Sequence, residues 1–266
     1  MYDALARYRS HGHRFVEGWL LDGAIEATCD IAELQRQRGV YGPVCEIGVH
    51  HGRLFILLVL LNPPTERSLA IDLFELQSEN VDGSGKGSRE KMLEHLRSRG
   101  CNLNLVEILA ENSLRVSASQ IVELCHGRPR LFSVDGGHTA EITRNDLRLA
   151  QEAVCEGGVV ILDDYFNSSW PAVSEGTVQF MRDDSPQLVP VIITSNKFIF
   201  AKGGEAAAEY REQLLSKRRG AKLSKVFGFE VVCYEPTSKW TVRQMRVRIR
   251  ETRVGKAIRS LKRLGR

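Results

Sequence analysis

Between residues 44 and 162, short apolar runs alternate with stretches whose apolar positions recur at helical spacing. Val44–Val49, Ser68–Leu73, Leu103–Leu109, Leu131–Val134 and Val159–Leu162 predict strands. Arg53–Leu61, Arg89–Arg99, Ser117–Cys125 and Thr139–Val154 predict the helices between them. Strands that are apolar throughout, each followed by a helix, imply a mostly parallel sheet covered on both faces. Ahead of them, Phe15–Gln37 predicts a helix, with Trp19, Leu20, Ala24, Ala27, Ile31 and Leu34 on one face, stopped by Gly39 and Gly42-Pro43. Beyond Leu188 the pattern turns strand-rich: Val189–Thr194 and Lys197–Ala201, then a helix over Ala206–Lys217, then Val231–Tyr234 and the alternating Val242–Ile249. The expected architecture is doubly wound α/β. An N-terminal helical cap covers residues 1–40, the main domain 41–235 and a basic extension 236–266. Two stretches, Gln77–Gly87 and Tyr165–Gly176, resist regular structure and begin where the second and fifth strands end. Open α/β sheets bind their ligands at that edge.

With 266 residues, 42% hydrophobic and 26% charged, the chain has ample material for a core, which excludes wholesale disorder. The longest apolar run, Leu54–Leu61, is too short to cross a bilayer. Arg7, Arg9, His11, His13 and Arg14 leave no apolar segment of signal-peptide type, so the expected location is cytoplasmic. Six cysteines (29, 45, 101, 125, 155 and 233) stand far apart without a CxxC pair, which points to reduced, buried thiols rather than a metal knuckle. The net charge of +4 conceals an asymmetry: Arg243–Arg266 holds eight arginines, two lysines and one glutamate, and the rest of the chain is net negative. Val254, Ala257, Ile258, Leu261 and Leu264 recur there at helical spacing among basic residues. Such a helix is expected to lie on an acidic surface, either an anionic membrane leaflet or a partner subunit of a homo-oligomer, or else to pack its stripe on its own domain.

The first strand runs into Glu46-Ile-Gly48-Val-His50-His51-Gly52. Two glycines let the backbone turn sharply and approach a ligand at the start of a helix. Their GxxxG spacing departs from the GxGxxG of dinucleotide sites, which disfavours a nicotinamide oxidoreductase. The second strand ends at Asp72, about twenty residues on, where a carboxylate can hold the hydroxyls of a ribose.

Together EIGVHHG, AIDLF, Ala110-Glu111-Asn112-Ser113 and SVDGGH resemble the class I S-adenosylmethionine-dependent methyltransferases. More narrowly, DGGHTAEITRNDLRLA followed by EGGVVILDDYF resembles a bacterial group of small-molecule and sugar O-methyltransferases, the methyltransferase-24 type. The resemblance covers roughly residues 15–202. It implies a Rossmann-like fold with S-adenosylmethionine beside the first four strands. By that match Glu46, Gly48 and Gly52 hold the methionine end, Asp72 the ribose, and Glu111, Asn112 and Ser113 the adenine side.

Asp135 closes the fourth strand and Asp163-Asp164 the fifth. Carboxylates on neighbouring strand ends converge and repel, and a hard divalent cation such as Mg²⁺ relieves that repulsion. The resemblance implies the same three acids as ligands; arginine or backbone N–H groups are the alternative compensation. Methyl transfer to a hydroxyl requires loss of the hydroxyl proton, for which Asp135, His138 or a bound cation are the candidates. His138 can instead simply cap its helix. His50 and His51 are expected to line the turn or touch the cofactor carboxylate, and Asn167, Trp170 and Pro171 to floor an acceptor pocket. Asn62-Pro63-Pro64 mimics an amino-methyltransferase motif but follows the first helix, not the fourth strand. The acidic edge argues against nucleic acid as a specific partner, and with it against an RNA-directed enzyme using the basic tail. The expected substrate is a hydroxyl of a sugar, glycan or other small metabolite.

Overall fold

A computed structural model describes residues 2–218 and 220–233. The described residues belong to one compact unit. The expected strand at Val242–Ile249 and the basic helix at its end lie outside the described residues. No described helix is long and apolar enough to cross a membrane.

The strands are β1 (Val44–Ile47), β2 (Ser68–Asp72), β3 (Val106–Ala110), β4 (Leu131–Val134), β5 (Val159–Leu162), β6 (Leu188–Thr194), β7 (Lys197–Lys202), β8 (Lys222–Val226) and β9 (Phe229–Cys233). They form one sheet in the order β3-β2-β1-β4-β5-β7-β6-β9-β8. β1 to β5 run parallel, β7 enters antiparallel beside β5, and β6 pairs with it. The order in which strands are added reverses between β1 and β4, so the carboxyl ends of β1, β2, β4 and β5 open on a crevice at the switch point.

Helices α1 (Tyr2–Ser10), α2 (Asp22–Gln37), α3 (Arg53–Leu61), α4 (Arg89–Ser98), α5 (Ala118–Cys125), α6 (Ala140–Ala153), α7 (Pro171–Asp183) and α8 (Gly204–Lys217) flank the sheet. α3 is apolar on every face after Arg53 and is buried accordingly, with Phe55, Ile56, Leu57 and Leu58 fully enclosed. Each such side chain contributes about 1.5–3 kcal/mol relative to exposure. Ser88, Ser117 and Thr139 cap α4, α5 and α6 by accepting a backbone N–H three residues on. Tyr8, Val16, Leu20, Ala24 and Ile31 join the same apolar cluster as Val44 and Val159, so residues 1–40 are built into the unit rather than set on it.

Three boundaries differ from the sequence expectation, and two elements were not expected. The front helix starts at Asp22, because Gly18 takes φ +129° and Leu21 is extended, which leaves Trp19 outside it. β3 starts only at Val106, because Asn102 caps a short turn over Leu103–Leu105. Half of the loop expected at Tyr165–Gly176 is helical, because Pro171 occupies the first turn of α7, where its missing N–H costs nothing. α1 and β8, both rich in polar residues, gave no apolar pattern to read.

Candidate active site

A cavity of about 630 Å³ opens at the switch point. Its donor side is built by the turn between β1 and α3. Gly48 takes φ +80°, and a Cβ there would lie 1.7 Å from the Asp135 carbonyl oxygen, so only glycine admits this approach of β1 to β4. His50 is held in the left-handed region at φ +54° and donates its backbone N–H to Asp72 Oδ2 at 2.7 Å. Phe74 donates its N–H to Oδ1 at 2.8 Å. Burial raises the Asp72 carboxyl above its usual range, and those N–H groups act in the opposite direction. Asp72 lines the cavity together with Gly48, Glu111, Asn112 and Ser113. A cavity of this size with a strand-end carboxylate aimed into it fits a nucleoside-bearing cofactor.

Two expected cofactor residues are absent from this wall. Glu46 lies inside the sheet at 2% exposure, and burial pushes its carboxyl up to about 8. Gly52 packs against Met92 beneath the turn. His50 reaches the cavity, whereas His51 is buried behind it with its ring stacked on His50 at 3.8 Å and Nδ1 3.2 Å from Glu17.

The acidic edge differs from the three-carboxylate expectation. Asp163 is occupied: its Oδ2 lies 2.5 Å from Lys197 Nζ, while Oδ1 accepts from the Asp164 N–H at 2.8 Å and from Asn196. Lys197 starts β7, is 2% exposed and also faces Asp135 Oδ2 at 3.9 Å. An internal ammonium thus supplies the charge compensation assigned to Mg²⁺ at this strand end. The ligand atoms that do converge, all within 4.8 Å of one another, belong to Asp135, His138 and Asp164. Burial raises the Asp135 carboxyl well above its usual range, and the neighbouring Asp163 charge adds to it. Asp164 sits at φ +60°, which turns its carboxylate toward His138.

His138 is the centre of the arrangement. Its Nε2 lies 3.3 Å from Asp164 Oδ2 and its Nδ1 2.8 Å from Asp82 Oδ2. Burial opposes protonation of the ring, but the two carboxylates win and raise its pKa above the usual histidine value. Trp170 stacks on the ring at a centroid distance of 4.2 Å and an angle of 16°. Asn167 donates to Asp164 Oδ1 at 3.0 Å, so the loop after β5 braces the site. Pro171 does not line the cavity; it opens α7. Sequence reading missed Asp82 and Lys197: the first sits in a Gly/Ser-rich loop without periodicity, and the second reads as the polar end of a strand.

Residues 45–165 match the model of a family described as "Methyltransferase domain". This stretch is similar to methyltransferase domains. No curated protein matches the chain in sequence. Among solved structures, the O-methyltransferase NovP is similar at 16% identity and a TM-score of 0.56, over 67% of this chain and 79% of that one. CalS11, a TDP-rhamnose 3′-O-methyltransferase, is similar at 18% identity and a TM-score of 0.51, over 68% and 80%. An O-methyltransferase from Bacillus cereus, solved with S-adenosylhomocysteine, is similar at 15% and 0.51, over 75% and 90%. At such identities the likeness is one of fold, and the fold is that of the class I methyltransferases.

Proposed function

We propose that the methyltransferase domain uses S-adenosylmethionine to methylate a hydroxyl of a small molecule, with sugars and glycans as the favoured acceptor class. The observation that carries the reading is the placement of His138, held by two carboxylates on the wall of the same cavity that Asp72 and Gly48 line. Similarity in fold to O-methyltransferases, one solved with S-adenosylhomocysteine and another acting on a TDP-sugar, supports it. The flat face of Trp170 suits a sugar ring.

The bound cofactor supplies an electrophilic methyl on a sulfonium. The chain's own residues do the rest. Asp72 and the Gly48 turn would hold the donor at the wall they line. His138 takes the acceptor proton at Nε2 while Nδ1 stays bonded to Asp82, and both carboxylates stabilise the imidazolium that forms. Asp164, held by Asn167 and Asn196, keeps the ring in place.

A second reading of the activation step rests on the convergence of Asp135, His138 and Asp164. A divalent cation held by these three would lower the acceptor hydroxyl's own pKa. Methyl transfer to a panel of sugar nucleotides, with metal analysis and excess chelator, separates the two. Turnover in chelator assigns the proton to His138, and its loss assigns activation to the cation. Failure of the protein to bind S-adenosylmethionine rejects the whole proposal.

A further inference from the structure

Residues 80–87 leave the end of β2, cross above the donor side of the cavity and return to α4 without pairing with any strand. Gly83 and Gly85 adopt φ +67° and +47°, and nothing lies within 4 Å of a Cβ built on Gly83. The segment's one large apolar residue, Val81, is 67% exposed, so apolar burial does not hold it down. Polar contacts do. Asp82 Oδ2 accepts the backbone N–H of His138 at 2.7 Å and stands 2.8 Å from His138 Nδ1. Asp82 Oδ1 accepts the Ser84 N–H at 2.8 Å, and Ser84 Oγ lies 3.1 Å from the same Nδ1. Outside the segment, Glu79 is tied to Arg115 at the exposed outer end, and at the near end the Lys86 backbone bonds to His51 and the Ser88 N–H donates to the His50 carbonyl. At the near end the backbone of Gly87 runs against Asp72, where a Cβ would come within 2.6 Å of Oδ1. One segment therefore touches both the donor carboxylate and the histidine 56 positions beyond Asp82.

We infer that residues 80–87 are a lid over the donor cavity, latched by Asp82 on His138, and that Asp82 is a positioning residue for that histidine. A nucleoside-sized ligand lies beneath this segment, so the lid opens for donor entry and product exit. Closing it places a carboxylate on Nδ1 opposite the one Asp164 presents to Nε2, which fixes the orientation of the ring at the cavity wall. The positioning half rests on the methyl-transfer reading; the latch does not.

Trypsin cleavage after Lys86, which is exposed in the segment, reports the latch without any cofactor. Cleavage needs a locally opened chain and tracks the open population. Asp82→Ala is expected to raise the rate at Lys86 by roughly tenfold or more, as for loss of a charge-assisted hydrogen bond. An unchanged rate overturns the latch. If the two residues act as a pair, D82A/H138A is cleaved no faster than D82A, and additive acceleration overturns the pairing. Asp82→Asn, which keeps the side chain's shape, replaces D82A if the latter melts early. Ring ¹⁵N shifts of His138 are expected to change in D82N, where Nδ1 loses its carboxylate partner; identical shifts overturn the positioning role. Saturating S-adenosylhomocysteine is expected to slow cleavage of the parent at Lys86. Measured binding without protection overturns the lid, whereas absence of binding rejects the methyl-transfer reading and leaves the latch standing.

Discussion

Lys197 Nζ lies 2.5 Å from Asp163 Oδ2, and the lysine side chain is 2% exposed. An ammonium this deep in a protein is tolerable only when paired, and here Asp163 and Asp135 both face it. Lys197→Met is therefore expected to strand two carboxylates and lower stability by about 3–5 kcal/mol in denaturant titrations. Adding Asp163→Asn should recover part of that loss, since the second change removes the charge left unpaired. A single variant as stable as the parent would refute the internal counter-ion.

On the proposed function, Asp72 is the donor-binding residue most accessible to measurement. Asp72→Ala should weaken S-adenosylhomocysteine binding by about 1–3 kcal/mol in calorimetry, through lost hydrogen bonds to the ribose and a slackened His50 turn. Equal affinity of variant and parent would remove Asp72 from the site.

Gly48 makes a sharper demand. Alanine there brings a methyl to 1.7 Å from a backbone oxygen at a φ of +80°. Strain and overlap add, so Gly48→Ala should lose more than ~3 kcal/mol and unfold at lower temperature than Gly83→Ala, whose Cβ meets nothing. Thermal melts of the two variants compare them directly.

Stability should depend on pH through Asp184. It accepts from Arg144 at 2.9 Å and from Arg148, joining α6 to the end of α7. The Arg144 and Arg148 hydrogen bonds hold its carboxyl well below the usual range. A carboxyl depressed in the folded state stabilises at neutral pH, and the contribution fades as pH falls below the unfolded value of about 4. Asp184→Asn should thus melt below the parent at pH 7, with the gap closing toward pH 3. A gap that stays constant with pH would contradict the linkage.

β1, β2, β4 and β5 could be read from the sequence because they are buried on both faces and so largely apolar, whereas β3, at the sheet edge, is only half-buried and starts three residues later than its pattern suggested. Asp72, Asp135 and Asp164 were legible for a related reason, as charges at the abrupt ends of such runs. Asp82 and Lys197 were not. Their meaning lies in partners 56 and 34 positions away, across a loop and an antiparallel strand whose pairing no local pattern encodes. Glu46 shows the opposite error: a conspicuous charge beside a glycine turn, yet its side chain is enclosed within the sheet. Trp19 was assigned to a helix face by spacing alone, while Gly18 sets it outside, 77% exposed at the cavity mouth.

The contact between Gly48 and the Asp135 carbonyl leaves no hinge between the donor turn and the acidic strand end. Trp19, Val81 and Phe166, by contrast, are exposed on loops. Divergence can thus proceed at two speeds in such a molecule. Exchanges at Trp19 and Val81, which line the cavity, can change what enters it, while the fit of the glycine turn against the strand end is inherited unaltered.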